Sequence, residues 1–232
     1  MNLLLSGDAD VLAAPGTVSS VARVTADKRV RVYPMPTTTV GYLSFNQRDP
    51  ADLRRPHPIL SDPAVRTAIV KALDRRGMVQ ATFGSWASVP EGPVPQLFWI
   101  RDPGFKPAAA DPAGARAQLR ARGWIDSDGD GVLDKNGAPL ALTLNYPSQD
   151  ATRGQLALQI QEQLRQVGIR IEINRLDGPV WVERRNRGEF DLDFAQVSGL
   201  STATSSLSAA RQYGSPAGML SSFSIDEDGR LR

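Results

Sequence analysis

Residues 140–195 alternate between the hydrophobic pattern of strands and that of helices. Apolar side chains occupy every second position in 140–146, 169–173 and 190–194, which is the spacing of strands. Between these stretches, 151–167 carries apolar side chains at helical spacing, and 178–188 is also a predicted helix. Strands that alternate with helices favour crossover units on a mixed or largely parallel sheet. The pattern therefore predicts an α/β fold, with a mixed sheet and flanking helices.

The end of the last predicted strand indicates a binding edge. In open sheets of this kind, ligands sit beyond the carboxyl ends of the strands. The stretch "AQVSGLSTATSSLS" follows Phe194 there, which makes Gln196 and Ser198 candidate ligand-binding residues. Its polar composition is equally typical of a plain surface loop, so the residues leave both interpretations open.

The first half of the chain contains two clear helix starts. Asp62 is suited to cap a helix, and Pro63 is suited to its first position. Asp111 precedes "PAGARAQLRARG" in the same way. These residues predict helices that begin after Asp62 and after Asp111.

Two strands are predicted before the first of these helices, in "RVRVYPM" (29–35) and "TVGYLSFN" (39–46). Tyr42 and Asn46 belong to the second stretch and are candidate pocket residues. The long proline-rich loop that begins at "GSW" is of a kind that is usually functional or held by anchoring side chains. Among its aromatic residues, Trp86 is the candidate for facing a ligand.

The acidic stretch "DSDGDGVLDKNG" begins like a calcium-binding loop. Positions 1, 3, 5 and 9 of such a loop are filled by Asp126, Asp128, Asp130 and Asp134. Position 12, where an EF-hand places a bidentate glutamate, is Gly137. An Asn-Gly turn pair and a strand-like stretch follow instead of a helix. The residues favour a hairpin turn, with a calcium-dependent extracellular scaffold module as the alternative.

Composition excludes several functional classes. The 27 basic and 25 acidic residues give a net charge of +2, which offers no basic patch for nucleic acid. Without cysteine, the chain has no thiolate metal site or cysteine nucleophile. The single histidine, His57, lies between two prolines, so a catalytic triad is not expected. A hydrolase is therefore the least favoured interpretation, and we expect no enzymatic activity and no cofactor.

The start of the chain lacks the basic and apolar regions of a signal peptide, and no stretch approaches the ~20 apolar residues of a membrane span. We therefore interpret Met1 as a start inside a longer protein.

Eight stretches in order resemble the extracellular solute-binding proteins of family 5, the peptide- and nickel-binding subunits of ABC transporters. They are "LLSGDADV", "YLSFNQ", "LSDPAVRTAIVKALDRRGMV", "GSWASVPEGPVP", "DPAGARAQLRARGW", "DSDGDGVLDKNGAPLALTL", "LALQIQEQLRQVGIRIEI" and "GEFDLDF". The resemblance implies a periplasmic-binding-protein-like lobe, in which the acidic stretch is a hairpin turn. It also implies a periplasmic or extracellular protein, peripheral to the membrane through a signal or lipid anchor absent from this sequence.

Members of the family are about twice as long and have two lobes, so the resemblance implies that this chain is the C-terminal lobe. We expect residues 1–50 to hold the hinge and first strands, 51–195 the ligand-binding lobe, and 196–232 a ligand-side loop and tail. Peptide-binding members carry an aromatic residue and an amine-binding aspartate just after the "FD" strand. Gln196 and Gly199 stand at these two positions here, which argues against a free peptide amine as the ligand group.

The sequence thus predicts a subunit that captures a small-molecule or peptide ligand by lobe closure and delivers it to an ABC permease. Its predicted ligand-binding residues are Tyr42, Asn46, Trp86, Gln196 and Ser198.

Overall fold

The computed structural model describes residues 1–13, 17–35, 37, 39–90 and 108–197. In this part of the chain the α-helices are α1 (Asn2–Ser6), α2 (Val18–Thr25), α3 (Pro63–Ala72), α4 (Arg75–Phe83), α5 (Pro112–Ala121), α6 (Ala151–Arg165) and α7 (Gly178–Arg187). The strands are β1 (Val40–Phe45), β2 (Arg48–Asp49), β3 (Asp52–Pro56), β4 (Asp134–Lys135), β5 (Ala138–Pro139), β6 (Ala141–Pro147), β7 (Arg170–Leu176) and β8 (Leu192–Val197).

The chain divides into two compact units. The smaller unit comprises Met1–Thr37 and Arg75–Val89, and its described elements are α1, α2, α4 and a 3₁₀ turn at Gly84–Trp86. The larger unit comprises the described residues of Thr38–Asp74 and Pro90–Arg232 and contains every described strand.

The larger unit is built on a four-stranded mixed sheet with the strand order β1-β8-β6-β7. β6 pairs parallel with both β7 and β8, whereas β1 pairs antiparallel with β8. Helix α6 packs on β6 and β7, and α3 packs on both α5 and α6. This arrangement confirms the predicted α/β fold with a mixed sheet and flanking helices.

Both predicted helix starts are confirmed. The Asp62 carboxylate accepts a hydrogen bond from the Ala64 backbone N–H at 2.8 Å, and Asp111 accepts one from Gly114 at 2.8 Å. These bonds satisfy N–H groups that the first turn of a helix leaves without a backbone partner. The apolar stripe of α3 then enters the core, because Val65 and Ile69 are almost fully buried.

The end of α6 depends on a glycine. Gly168 follows it with φ +83°, a conformation that side chains with a Cβ rarely adopt. A Cβ at this position would lie 2.6 Å from Leu133 Cγ, while the Gly168 carbonyl accepts a hydrogen bond from the Leu133 N–H. The glycine therefore lets the acidic hairpin pack closely against the start of β7.

The predicted strand at 29–35 is wrong, because the structure describes this whole stretch and assigns no strand to it. Tyr33 and Met35 are exposed there, at 72% and 81%. Alternation of valines gives a stretch the pattern of a strand, but a strand also requires a neighbour that accepts its backbone hydrogen bonds.

Candidate functional site

The carboxyl edge of the sheet contains a topological switch point. From β6 the chain passes through α6 to β7 on one side, and then through α7 to β8 on the other side. β6 pairs with β7 over its whole length, whereas its described pairing with β8 covers only Leu144–Leu192 and Asn145–Asp193. β6 and β8 therefore both continue beyond the last residues through which they pair with each other. A switch point of this kind is where open α/β sheets bind ligands.

The two faces of this sheet differ in chemistry. The face that carries α6 is apolar, with buried Leu142, Leu144 and Leu192. The face that carries α7 is polar, and its buried residues include Asn145 and Asp193. Because successive side chains of a strand point to opposite faces, this division follows the alternation of each strand.

Gln196 lies at the carboxyl end of β8, directly opposite Gly41 of β1, and is exposed. A Cβ at Gly41 would find its nearest neighbour, Phe194 Cε2, only at 4.0 Å, so the space beside Gln196 is open. Tyr42, the next residue of β1, points to the opposite face, where its hydroxyl accepts a hydrogen bond from Arg185 Nη2 at 3.0 Å. The structure therefore places these two predicted site residues on different faces of the sheet.

Asn46 lies at the opposite edge of the sheet, just after β1. It is buried, and its side-chain amide donates to the carbonyls of Gly188 (2.8 Å) and Phe190 (2.9 Å). Its carbonyl oxygen accepts from the Arg48 N–H. These bonds tie the chain before β8 to the end of β1, away from the carboxyl ends of the parallel strands.

Trp86 ends the 3₁₀ turn of the smaller unit and is 46% exposed. It belongs to a different unit from Tyr42, Asn46 and Gln196. Ser198 lies outside the described residues.

Sequence reasoning missed a polar cluster at the switch point, formed by Arg153, Trp181, Arg185 and Asp193. Two guanidinium groups lie over the Trp181 indole, with Arg153 Cζ 5.4 Å and Arg185 Cζ 5.5 Å from its ring centroid. Trp181 Nε1 donates to Asp193 Oδ1 at 2.6 Å. Arg153 also donates to the Phe194 carbonyl (3.2 Å) and pairs with Asp150 (3.0 Å). The one available signal was Asp193 itself, an acid within a predicted strand at a position that alternates with Leu192 and Phe194.

Burial raises the pKa of Asp193 to about 6. The charges of Arg185 and Arg153 and the hydrogen bond from Trp181 act in the opposite direction but do not cancel the loss of hydration. The Asp193 carboxyl therefore changes its charge between mildly acidic and neutral pH.

A second buried network lies at the amino end of β8. His57 Nδ1 accepts hydrogen bonds from the Ile59 and Leu60 N–H groups, so the ring proton lies on Nε2, which is 3.0 Å from Asp191 Oδ1. Asp191 Oδ2 accepts from the N–H and the hydroxyl of Thr143. Every nitrogen of the imidazole is therefore occupied by a structural partner, which agrees with the expectation that His57 is not catalytic.

The acidic stretch forms a turn whose carboxylates bind the loop's own backbone. Asp126 accepts from the Gly129 and Gly131 N–H groups, and Asp128 accepts from Asp130. The carboxylates of Asp126, Asp128 and Asp130 are exposed, with ligand oxygens within 4.8 Å of one another. β4 and β5 then pair around an Asn-Gly turn. This geometry is that of the predicted hairpin turn.

The family model described as "Bacterial extracellular solute-binding proteins, family 5 Middle" matches residues 1–218. The chain belongs to this family. The comparisons thus support the solute-binding interpretation and give no support to the calcium-dependent scaffold.

Two relatives show the range within family 5. The oligopeptide-binding protein AppA of Bacillus subtilis is 30% identical over 166 residues, which are 70% of this chain and 29% of the relative. The nickel-binding periplasmic protein of Escherichia coli is 27% identical over 137 residues, which are 59% of this chain and 26% of the relative. The chain therefore spans less than a third of the length of either relative.

A solved structure confirms the family 5 fold. NikA from Brucella suis, in complex with Fe(III)-EDTA, matches with a TM-score of 0.74 and 24% identity, covering 88% of this chain and 39% of that chain. The fold is therefore that of a periplasmic-binding-protein-like lobe. None of the described helices of this family 5 protein is long and apolar enough to cross a membrane.

Proposed function

We propose that this chain is the C-terminal lobe of a solute-binding subunit of an ABC importer, which binds a peptide or peptide-like solute and has no enzymatic activity. The observation that carries the proposal is the switch point at the carboxyl ends of β6 and β8 in a chain of family 5. The relative AppA is an oligopeptide-binding protein, and its solved structure contains a nonapeptide.

Gln196 is the residue of this edge that we assign to the ligand. The Gln196 amide offers hydrogen-bond donors and an acceptor. The residue is exposed, and Gly41 leaves the space beside it open. A neutral amide matches the N–H and C=O groups of a peptide backbone better than it matches an ammonium group. The lobe thus selects for backbone-like polar groups, which agrees with the absence of an aspartate at position 199.

Exposed apolar side chains support a partner for the smaller unit. Of twelve exposed large apolar side chains in the described residues, seven lie in this unit: Leu3, Val11, Val18, Val32, Tyr33, Met35 and Trp86. Apolar surface concentrated in this way is typical of interaction sites. We assign it to contacts with the remainder of a two-lobed protein, in which residues 1–50 contribute to the hinge.

The mechanism is then capture by hinge closure. Two lobes close around the ligand, and the closed form is presented to a membrane permease on the periplasmic or extracellular side. We call the two-lobed protein that contains this lobe the parent protein. In this mechanism it is peripheral to the membrane, and it uses no cofactor and no nucleic acid.

A single lobe should bind weakly. A micromolar complex has about 8 kcal/mol of binding free energy, and immobilising the ligand costs at least about 4 kcal/mol. A single lobe supplies about half of the favourable contacts, and the free energy that remains corresponds to millimolar affinity or weaker. A calorimetric titration of a tri- to pentapeptide pool into this chain should show no saturation at micromolar concentration, and saturation would mean that the site is complete in these residues.

The parent protein provides the positive test. The same peptide pool should bind it and reduce its radius of gyration in small-angle scattering, and Gln196→Ala should weaken binding without lowering the unfolding midpoint. Glu183→Gln, on the exposed surface of α7, serves as the matched control. Unchanged affinity in Gln196→Ala would remove Gln196 from the site, and binding without compaction would contradict lobe closure.

A further inference from the structure

Helix α7 is attached to the sheet by polar contacts rather than by an apolar core. None of its ten residues, all of them described, is completely buried, and Val180 and Val182 are exposed. Its side chains reach the sheet through the Trp181–Asp193 hydrogen bond and through Arg185, which donates to Tyr42. Apolar burial is the usual source of helix docking energy. The attachment of α7 therefore depends on a few polar bonds.

Asp193 is the centre of this attachment and is fully buried. Its Oδ1 accepts the indole N–H of Trp181, but none of the described residues donates a hydrogen bond to its Oδ2. The nearest cation to Oδ2 is Arg185 Nε, at 3.5 Å. An ionised carboxylate in a buried site needs several donors, so this site satisfies the charged form poorly.

The other charged groups around Asp193 have partners of their own. Arg153 reaches Trp181 from α6, but it is paired with Asp150 and bonded to the Phe194 carbonyl. Asn145, the Cα partner of Asp193 on β6, is uncharged. Asp191, two residues earlier on the same face, is held by His57 and Thr143. Arg185 from α7 and Arg153 from α6 are thus the cations that oppose the loss of hydration at Asp193, and Arg185 also donates to the Tyr42 hydroxyl.

We propose that α7 is a proton-linked latch on β8, which is held tightly when Asp193 is protonated and loosens when the Asp193 carboxylate ionises. Protonation removes the charge that lacks donors and leaves Oδ1 free to accept from Trp181. Release of α7 gives the ionised carboxylate access to water. This proposal does not depend on the ligand or on the proposed transport function.

Linkage gives the direction and size of the effect. The state that binds the proton more tightly is favoured by acid, and with α7 attached the pKa of Asp193 is about 6, against 3.8 for a solvated aspartate. Raising the pH through this interval should therefore favour release of α7 by a factor on the order of a hundred.

Hydrogen exchange followed by mass spectrometry on this chain tests the latch. Protection factors of the α7 amides, corrected for the intrinsic pH dependence of exchange, should fall by tens of fold between pH 4.5 and pH 7.5. The amides of α6 serve as an internal reference for global opening and should change much less. Equal changes in both helices, or a constant protection of α7, would overturn the proposal.

Two variants identify the responsible group. Asp193→Asn stays neutral and keeps an acceptor for Trp181, so its α7 protection should not depend on pH. Glu183→Gln removes an exposed acid of the same helix, which pairs with Arg187, and should keep the wild-type dependence. If the α7 protection factors of Asp193→Asn depend on pH as strongly as those of the wild type, the proposal is contradicted. If that variant does not fold, the carboxyl ¹³C shift of Asp193 in the wild-type chain decides, because titration near pH 4 would overturn the latch.

Discussion

His57 Nε2 lies 3.0 Å from Asp191 Oδ1 and joins the segment after β3 to the residue that precedes β8. The two residues are 134 positions apart, and His57 is 2% exposed. Through its other nitrogen, His57 also accepts the Ile59 and Leu60 N–H groups. The imidazole therefore organises a local turn and anchors that turn to the central sheet.

Substitutions at His57 should separate these two roles. His57→Ala removes both and leaves buried polar groups without partners, so we expect it to lower the unfolding free energy by about 3 kcal/mol. His57→Asn places an acceptor near the position of Nδ1. It should restore hydrogen bonds from the Ile59 and Leu60 N–H groups and so recover part of the lost unfolding free energy. Urea denaturation measures the unfolding free energy of the wild type, His57→Ala and His57→Asn. If His57→Asn is no more stable than His57→Ala, the turn bonds contribute little.

Asp191 should make the stability depend on acidic pH. Its burial alone would raise the pKa of the carboxyl, but hydrogen bonds from His57 and Thr143 outweigh that effect and hold the pKa below 3.8. The resulting stabilisation is complete above about pH 4, the unfolded value, and is lost as the pH falls through the lower folded value. We therefore expect Asp191→Asn to cost about 2 kcal/mol at pH 7 and progressively less as the pH falls below about 4.

Urea midpoints of wild type and Asp191→Asn between pH 7 and pH 2 test this dependence. Asp128→Asn, in the exposed acidic turn, is the matched control and should show a small, nearly constant difference from wild type. A stability difference at Asp191 that stays constant over this range would show that the charged form is not favoured.

Asp62 combines a helix cap with an ion pair. Oδ1 caps α3, while Oδ2 lies 2.9 Å from both Nε and Nη2 of Arg122. The ion pair is partly exposed and should contribute less than ~1 kcal/mol, whereas loss of the cap should cost about 1 kcal/mol. Asp62→Asn keeps the cap and should be close to wild type, and Asp62→Ala should not.

Thermal or urea unfolding of both Asp62 variants, with Arg122→Ala as the ion-pair control, distinguishes the two contributions. Equal losses in Asp62→Asn and Asp62→Ala would assign the effect to the ion pair. An unchanged stability of Asp62→Ala, with loss of ligand binding in the parent, would make Asp62 a site residue.

Calcium should leave the acidic turn without a measurable gain in stability. A dedicated site at a hundredfold excess over its Kd would add about 2.7 kcal/mol to the unfolding free energy. We expect the melting temperature in millimolar calcium to equal that in magnesium or in chelator. A rise of several degrees that disappears in Asp128→Ala would show that Asp126, Asp128 and Asp130 form a metal site.

Local signals were sufficient for much of the fold. Asp62 and Asp111 begin their helices, and the alternation of 140–146 and 169–173 anticipated β6 and β7. Caps involve residues two or three positions apart, and the apolar face of an element is a property of its own period. The sequence by itself therefore determined the type and order of these elements.

The arrangement of the candidate site was decided only by the tertiary structure. Register placed Tyr42 and Gln196 on opposite faces of the sheet, and the end of β1 placed Asn46 at its amino edge. The stretch 29–35 has strand alternation without a partner among the described residues, so no strand forms there. Arg185 meets Tyr42 across 143 positions of sequence. Such contacts depend on which strands pair and which helix covers them, and no local pattern in the sequence encodes that choice.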